Sequence, residues 1–403
     1  MSTDLPTAPA RRVDVFDGIR GIAILLVVVS HGWALWPVTW ISDHAVPSAI
    51  FRSGNYGVSI FFVVGAFVST RALLRGLDSP VGLNPAVAFV RRFLRLSGQL
   101  YLLLGVVVLV SVFDLGDPFS DKVTRASVLH IGTYTWNWYL QGHSVAARSD
   151  LGHLWYLSVD LQVFVVILLL VHLLRRHRAW LVVALGALLV LCAWWRFHVS
   201  GTELLYVSLL RSTVRMDAPV AGALAAAALP YLGSLRPYAR PAATVSLVAL
   251  VPLLHLNVSN ASYFSWWGLL LDAALVTFVV SCSLAVPPPA VTRAVGNRVL
   301  TWLGRWSLGI YLWHYPVFYF VSRHTHEWRW QARTVLAVLV CAAMVWFGHR
   351  VAERRVTTLL RSPVWEELSA GVWPYVRRRS RSMRVNRRLT DSSLMPKRRF
   401  TRS

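Results

Sequence analysis

The chain has 403 residues, 56% of them hydrophobic, and a formal net charge of +23 at pH 7. Its mean hydropathy is +0.51. These values exclude a soluble globular domain and point to a polytopic membrane protein. The charge is uneven: residues 354–403 hold fourteen Arg and Lys against three acids, or +11 of the total.

A bilayer core needs about 20 apolar residues per helical span. Spans are expected at roughly 19–38, 55–75, 93–113, 154–174, 179–197, 211–231, 242–258, 264–285, 299–321 and 332–352. Basic residues fall in every second connection: Arg71 to Arg95, then Arg175 to Arg178, Arg236 and Arg240, Arg293 and Arg298, and the tail. The positive-inside rule then puts both termini in the cytoplasm. The segment 128–142 could be taken as a short span, but a crossing there would place Arg175 to Arg178 outside and reverse every later loop. It is expected to be re-entrant or interfacial on the outer side, where Trp136, Asn137, Trp138 and Tyr139 suit an interface. The expected fold is therefore all-α, about ten transmembrane helices over residues 1–353, followed by a basic cytoplasmic tail, 354–403, largely disordered. The tail's Arg run suits anionic lipid, and flanking a span explains it without nucleic acid.

The first span, DGIRGIAILLVVVSHG, holds Arg20 and His31 eleven residues apart. That is about three helical turns, so both lie on one face, about 16 Å apart along the axis. Asp17 falls on nearly the same stripe. Polar groups inside a membrane usually face a cavity or a partner. An imidazole has a reference pKa of about 6.5, so a buried His31 is expected to be neutral and competent as a base at pH 7. A lone buried histidine can equally be a satisfied core residue.

Further along, Arg92 and Arg95 lie at the cytoplasmic edge of span three. They fit bidentate phosphate recognition, or ordinary positive-inside topology. His153 and Asp160 are seven residues apart, on one face at the outer end of span four, with Trp155 between them. They read as sugar contacts, or as a cap and a structural acid. Arg211 and Arg215 are one turn apart on span six, with Asp217 as the candidate acid between them; Asp272 is buried by sequence, with Arg215 a candidate partner. His314, just before Pro316, reads as a site residue or as a helix-kink hydrogen bond. Cys192, Cys282 and Cys341 read as small apolar residues, with no metal-ligand spacing.

Several of these segments together resemble the membrane acyltransferase-3 family of bacterial O-acyltransferases. The resemblance rests on Arg20-x10-His31, on NYGVSIFFVVGAFVSTRALL, and on Arg92-Phe-Leu-Arg95. It continues through Gly152-His153-Leu154-Trp155, Val214-Arg215-Met216-Asp217 and Leu312-Trp313-His314-Tyr315-Pro316. It departs from the family pattern at Ser59, Gly65, Tyr156, Asp160 and Leu161. The resemblance implies transfer of an acetyl, succinyl or similar group from acyl-CoA to a hydroxyl of an envelope carbohydrate or glycolipid, in the bacterial cytoplasmic membrane. It implies His31 as the catalytic base and Arg20, Arg92 and Arg95 as the donor-binding residues. His153, Trp155, Asp160, Arg215, Asp217 and His314 would be substrate-binding. Acyl-CoA would be a substrate, with no permanently bound cofactor. The other function class that these intramembrane charges would serve is a non-catalytic transporter of a lipid-linked sugar or acyl group.

Overall fold

The structure is a computed structural model that describes residues 8–80, 82–256, 259–362 and 365. Every element among the described residues is a helix. The longer ones are α1 (Ala8–Leu35), α2 (Gly54–Leu77), α3 (Pro85–Phe113), α4 (Trp155–Leu173) and α5 (Arg178–Thr202). They continue with α6 (Asp217–Ala228), α7 (Ala239–Leu256), α8 (Trp266–Leu284), α9 (Arg298–His324) and α10 (Trp330–Gly348). Eight segments, on α1 to α5, α7, α8 and α10, are long and apolar enough to cross a membrane.

The expected spans at 211–231 and 299–321 have their own character. Arg211 is extended and breaks the first, which is built from Ser212–Arg215, the twelve-residue α6 and a tight turn at Leu229–Tyr231. The second is the single helix α9, 27 residues long. At 1.5 Å per residue that is about 40 Å, longer than a hydrocarbon core. Its hydropathy is lowered by a polar stripe, which faces the protein interior. The segment 128–142 forms two short helices, Asp121–Gly132 and Trp136–His143, joined at Tyr134, whose φ is 58°. Trp136 and Asn137 are buried and donate to the carbonyls of Leu151 and Leu210, while Trp138 is exposed. Half of the expected interface motif therefore anchors the hairpin to the protein.

Contacts between elements define two ends. At the basic end, Arg178 pairs with Asp78 at 2.6 Å, and Arg305 reaches Asp14 and Asp17 at 3.2 and 3.3 Å. At the far end, Arg148 pairs with Asp117 and Asp150, both at 2.9 Å, and Arg323 pairs with Asp114. The last helical segment runs on to Leu360, past the boundary that charge suggested at 353/354. The tail beyond 365, with its expected disorder and lipid contact, lies outside the described residues.

The pairing that places the site is α1 on α9. Both run from the basic end to the far end. A Cβ on Gly21 would sit 2.1 Å from the Leu300 carbonyl oxygen, and one on Gly304 1.8 Å from that of Asp17. Only glycine lets the two backbones touch at these points, the small-residue packing typical of membrane helices. Beyond this crossing the two helices present facing stripes at three- and four-residue spacing. On α1 the stripe is Asp17, Arg20, Ile24, Val27 and His31; on α9 it is Gly304, Ser307, Tyr311 and His314.

Candidate active site

Asn297 starts α9 by accepting from the Leu300 amide at 3.0 Å. Nearly five turns on, the buried His314 has its Nδ1 at 3.0 Å from the Ile310 carbonyl and 2.8 Å from that of Tyr311. Carbonyl oxygens only accept, so Nδ1 carries the proton and Nε2 of the neutral ring is a lone pair. That Nε2 lies 2.7 Å from Nδ1 of His31. His31 must therefore donate through Nδ1, which leaves the lone pair of its ring on Nε2. No described residue hydrogen-bonds that atom. The His31 ring is held between His314, nearly parallel at 5.0 Å, and Tyr315 at 4.7 Å. His153 stands edge-on to both imidazoles, at 6.2 and 5.3 Å. Sequence read His314 as a site residue or a kink hydrogen bond, and the geometry joins the two: its bonds to the preceding turn orient it toward His31.

Two cavities flank this cluster. The larger, about 830 Å³, opens among the basic-end halves of α1, α2, α3 and α9 and the N-terminal half of α4. Arg20, Arg91, Arg92 and Arg95 line it, with Asp17 and Asp160 as its acids. Arg20 is held by Ser307 at 3.0 Å and Asp17 at 3.8 Å. Arg92 bonds Asp160 at 2.5 Å and lies over the Phe164 ring at 5.4 Å. Arg95 has no ion pair among the described residues. The smaller cavity, about 210 Å³, lies toward the far end and is lined by His31, His153, Trp155, Ser30, Arg52 and Asn55, among others. Tyr311 lines both cavities and so forms the wall between them. It is braced by Tyr156 at 5.4 Å and by its hydroxyl, which donates to the His153 carbonyl.

The structure regroups the sequence candidates. His31, His153 and Trp155 share the smaller cavity; Arg20, Arg92 and Arg95 share the larger. Asp160 departs from the expectation that paired it with His153: it faces the larger cavity and holds Arg92. The reason is local. His153 belongs to a tight 3₁₀ turn, Ser149–Leu154, and α4 begins only at Trp155. A turn of three residues breaks the 3.6-residue register on which the shared face depended.

Arg215 and Asp217 line neither cavity. Arg211 pairs with Glu203, at 2.7 and 2.5 Å, and not with Asp217. Asp217 is bonded instead to Arg196, a fully buried α5 residue that sequence reasoning passed over. Its signal was there: an arginine in the apolar run LCAWWRF. Arg215 is buried with no hydrogen-bond partner among the described residues, and its guanidinium lies 4.7 to 6.0 Å from the ring centroids of Tyr263, Trp155, Phe62 and Phe264. Asp272 is also buried, and neither oxygen is hydrogen-bonded to Arg215 or to anything else described. Cation–π contact supplies part of what Arg215 lacks in anions.

A family model described as an acyltransferase domain matches residues 13–348. The chain belongs to the acyltransferase-3 family. It is thus a multi-pass membrane protein of that family. It is 26% identical over 323 residues to the peptidoglycan O-acetyltransferase OatA of Listeria monocytogenes, covering 76% of this chain and 49% of that protein. It is 26% identical over 332 residues, with the same coverage, to the putative peptidoglycan O-acetyltransferase YrhL of Bacillus subtilis. A regulator of hypoxia-inducible factor 1 from Caenorhabditis elegans is 25% identical over 190 residues, 43% of this chain and 37% of that protein. The chain spans about half the length of the bacterial relatives. No solved structure matches it.

Proposed function

We propose that this chain transfers an acyl group from acyl-CoA to a hydroxyl of an envelope carbohydrate or glycolipid. The basic end would face the cytoplasm. The donor's phosphates would meet Arg20, Arg92 and Arg95 in the larger cavity, and its pantetheine arm would run from there toward Tyr311. The acceptor would enter the smaller cavity. The observation that carries the reading is the ordered His31–His314 pair, which leaves a lone pair on a ring that lines the acceptor cavity.

The steps follow from that geometry. His31 Nε2 takes the acceptor's hydroxyl proton as the oxygen attacks the thioester carbonyl. The tetrahedral intermediate collapses with loss of the CoA thiolate, and the imidazolium returns the proton to sulfur. His314 holds the ring in the competent tautomer throughout and accepts from Nδ1–H in both protonation states. The thioester has to pass Tyr311, so movement of that ring is part of the cycle. The acceptor class is supported by the peptidoglycan O-acetyltransferases among the relatives.

The test uses purified protein, labelled acetyl-CoA and a membrane glycan extract. The reading expects label in the glycan with the wild type and a loss of about 10² to 10⁴ with His31→Ala in folded protein. Undiminished transfer by that variant would remove His31 as the base. A second reading, passage of a substrate without chemistry, draws on the two cavities meeting end to end at Tyr311. It expects movement of acyl or glycan across vesicles with no new ester bond.

A further inference from the structure

Three arginines of the far end are engaged within the protein. Arg148 is held by two aspartates, Arg323 by Asp114, and Arg333 by Ser322 through its carbonyl and hydroxyl. Arg52 is different. It sits at the end of the short helix Ala45–Phe51, just before α2, and is exposed. It makes no ion pair or hydrogen bond to any described side chain, yet it is not adrift: its guanidinium lies over the Trp33 ring, 5.1 Å from the centroid. Trp33 is two residues beyond His31 on α1, and its indole nitrogen is buried without a partner among the described residues. Arg52 lines the same cavity as His31, and among the described residues no carboxylate lines that cavity. The site therefore has a general-base candidate within it and an oriented, unneutralised cation at its edge.

We infer that Arg52 selects an acceptor with an anionic group, a carboxylate or phosphate, near the hydroxyl that is acylated. The inference rests on the acyltransfer reading above and names the acceptor chemistry of the same cavity. A guanidinium offers a planar fork that matches either oxyanion with two hydrogen bonds. Contact with the indole face holds the guanidinium at the cavity's edge without using its N–H donors. With no acid among the described lining residues, none of them competes with the incoming charge. A neutral polyol would leave the fork unused.

The experiment measures acyl transfer to a uronic-acid oligosaccharide, to its carboxyl-reduced counterpart and to a sugar phosphate, in lipid-free detergent. The expected result is a KM about tenfold lower for the anionic acceptors than for the reduced one. In Arg52→Gln that ratio collapses toward one, and Arg52→Lys, which keeps the charge but not the fork, restores part of it. Equal KM values in the wild type, or a ratio that survives Arg52→Gln, overturn the inference. The anion could also be a lipid headgroup, so the measurement is repeated in phosphatidylglycerol vesicles. If Arg52→Gln changes only vesicle binding, the guanidinium serves lipid and the inference fails. If no acceptor is acylated, the acyltransfer reading fails instead. Direct titration of the anionic and reduced glycans against wild type and Arg52→Gln then decides the role of Arg52 alone.

Discussion

His314 Nε2 stands 2.7 Å from His31 Nδ1, while its own Nδ1 is committed to two carbonyls of the preceding turn. The backbone of α9 thus decides which nitrogen of a residue on α1 carries a proton. His314→Phe keeps an aromatic ring but removes the acceptor. It is expected to lower kcat by about 10² with little change in either KM, because the base is present but its tautomer is no longer fixed. His314→Gln, whose amide oxygen can accept from Nδ1–H, is expected to recover part of the loss. Steady-state kinetics of both variants check this.

Arg92 is shared between Asp160 and the larger cavity. Arg92→Ala is expected to raise the KM for acyl-CoA by about tenfold, in line with the loss of a charge-assisted phosphate contact. The effect is expected to shrink with a donor truncated to the pantetheine thioester, which lacks the nucleotide phosphates. An unchanged KM for acyl-CoA would place Arg92 in a purely structural pair.

The two ion pairs near α6 should differ sharply in weight. Arg196 and Asp217 are both fully buried, so Asp217→Ala strands a guanidinium in the protein interior. The expected cost is about 3–5 kcal/mol. Arg211 and Glu203 keep about a third of their side-chain surface, and Arg211→Ala is expected to cost at most about 1 kcal/mol. Thermal unfolding in detergent separates the two.

Asp114 closes the far end by accepting from the Gly116 amide and from Arg323, with His324 Nε2 lying 3.3 Å from its Oδ1. Burial raises its carboxyl pKa, but the Gly116 amide and Arg323 outweigh that and hold it below the usual range. A depressed carboxylate stabilises the fold above its unfolded value, about 4. That contribution disappears as pH falls through the lower folded value. Below pH 4 the wild type is therefore expected to lose Tm more steeply than Asp114→Asn, and the two curves should converge. Melting curves from pH 6 to pH 3 check this.

Helical periodicity carried the reading where one regular helix held both residues. Arg20 and His31 fall on the interior stripe of α1, since nothing between them interrupts the 3.6-residue repeat. The same arithmetic failed for His153 and Asp160, because a 3₁₀ turn lies under the first and an α-helix under the second. Pairing between distant elements was beyond it as well. Asp217 had two arginines close by in sequence, yet its partner came from α5, twenty-one residues earlier. The histidine pair is likewise a contact between residues 283 apart. Sequence supplied both imidazoles, but only the α1–α9 crossing brings them together.

That crossing also works as a ruler. Gly21 and Gly304 mark where the two backbones touch, and His31 and His314 each lie ten residues beyond their glycine. Parallel helices climb equally per residue, so equal counts bring the rings to one height. A single residue inserted after either glycine would lift one ring by about 1.5 Å and swing it by about 100°. Loops around this bundle can change length freely, whereas these two ten-residue intervals can only vary together.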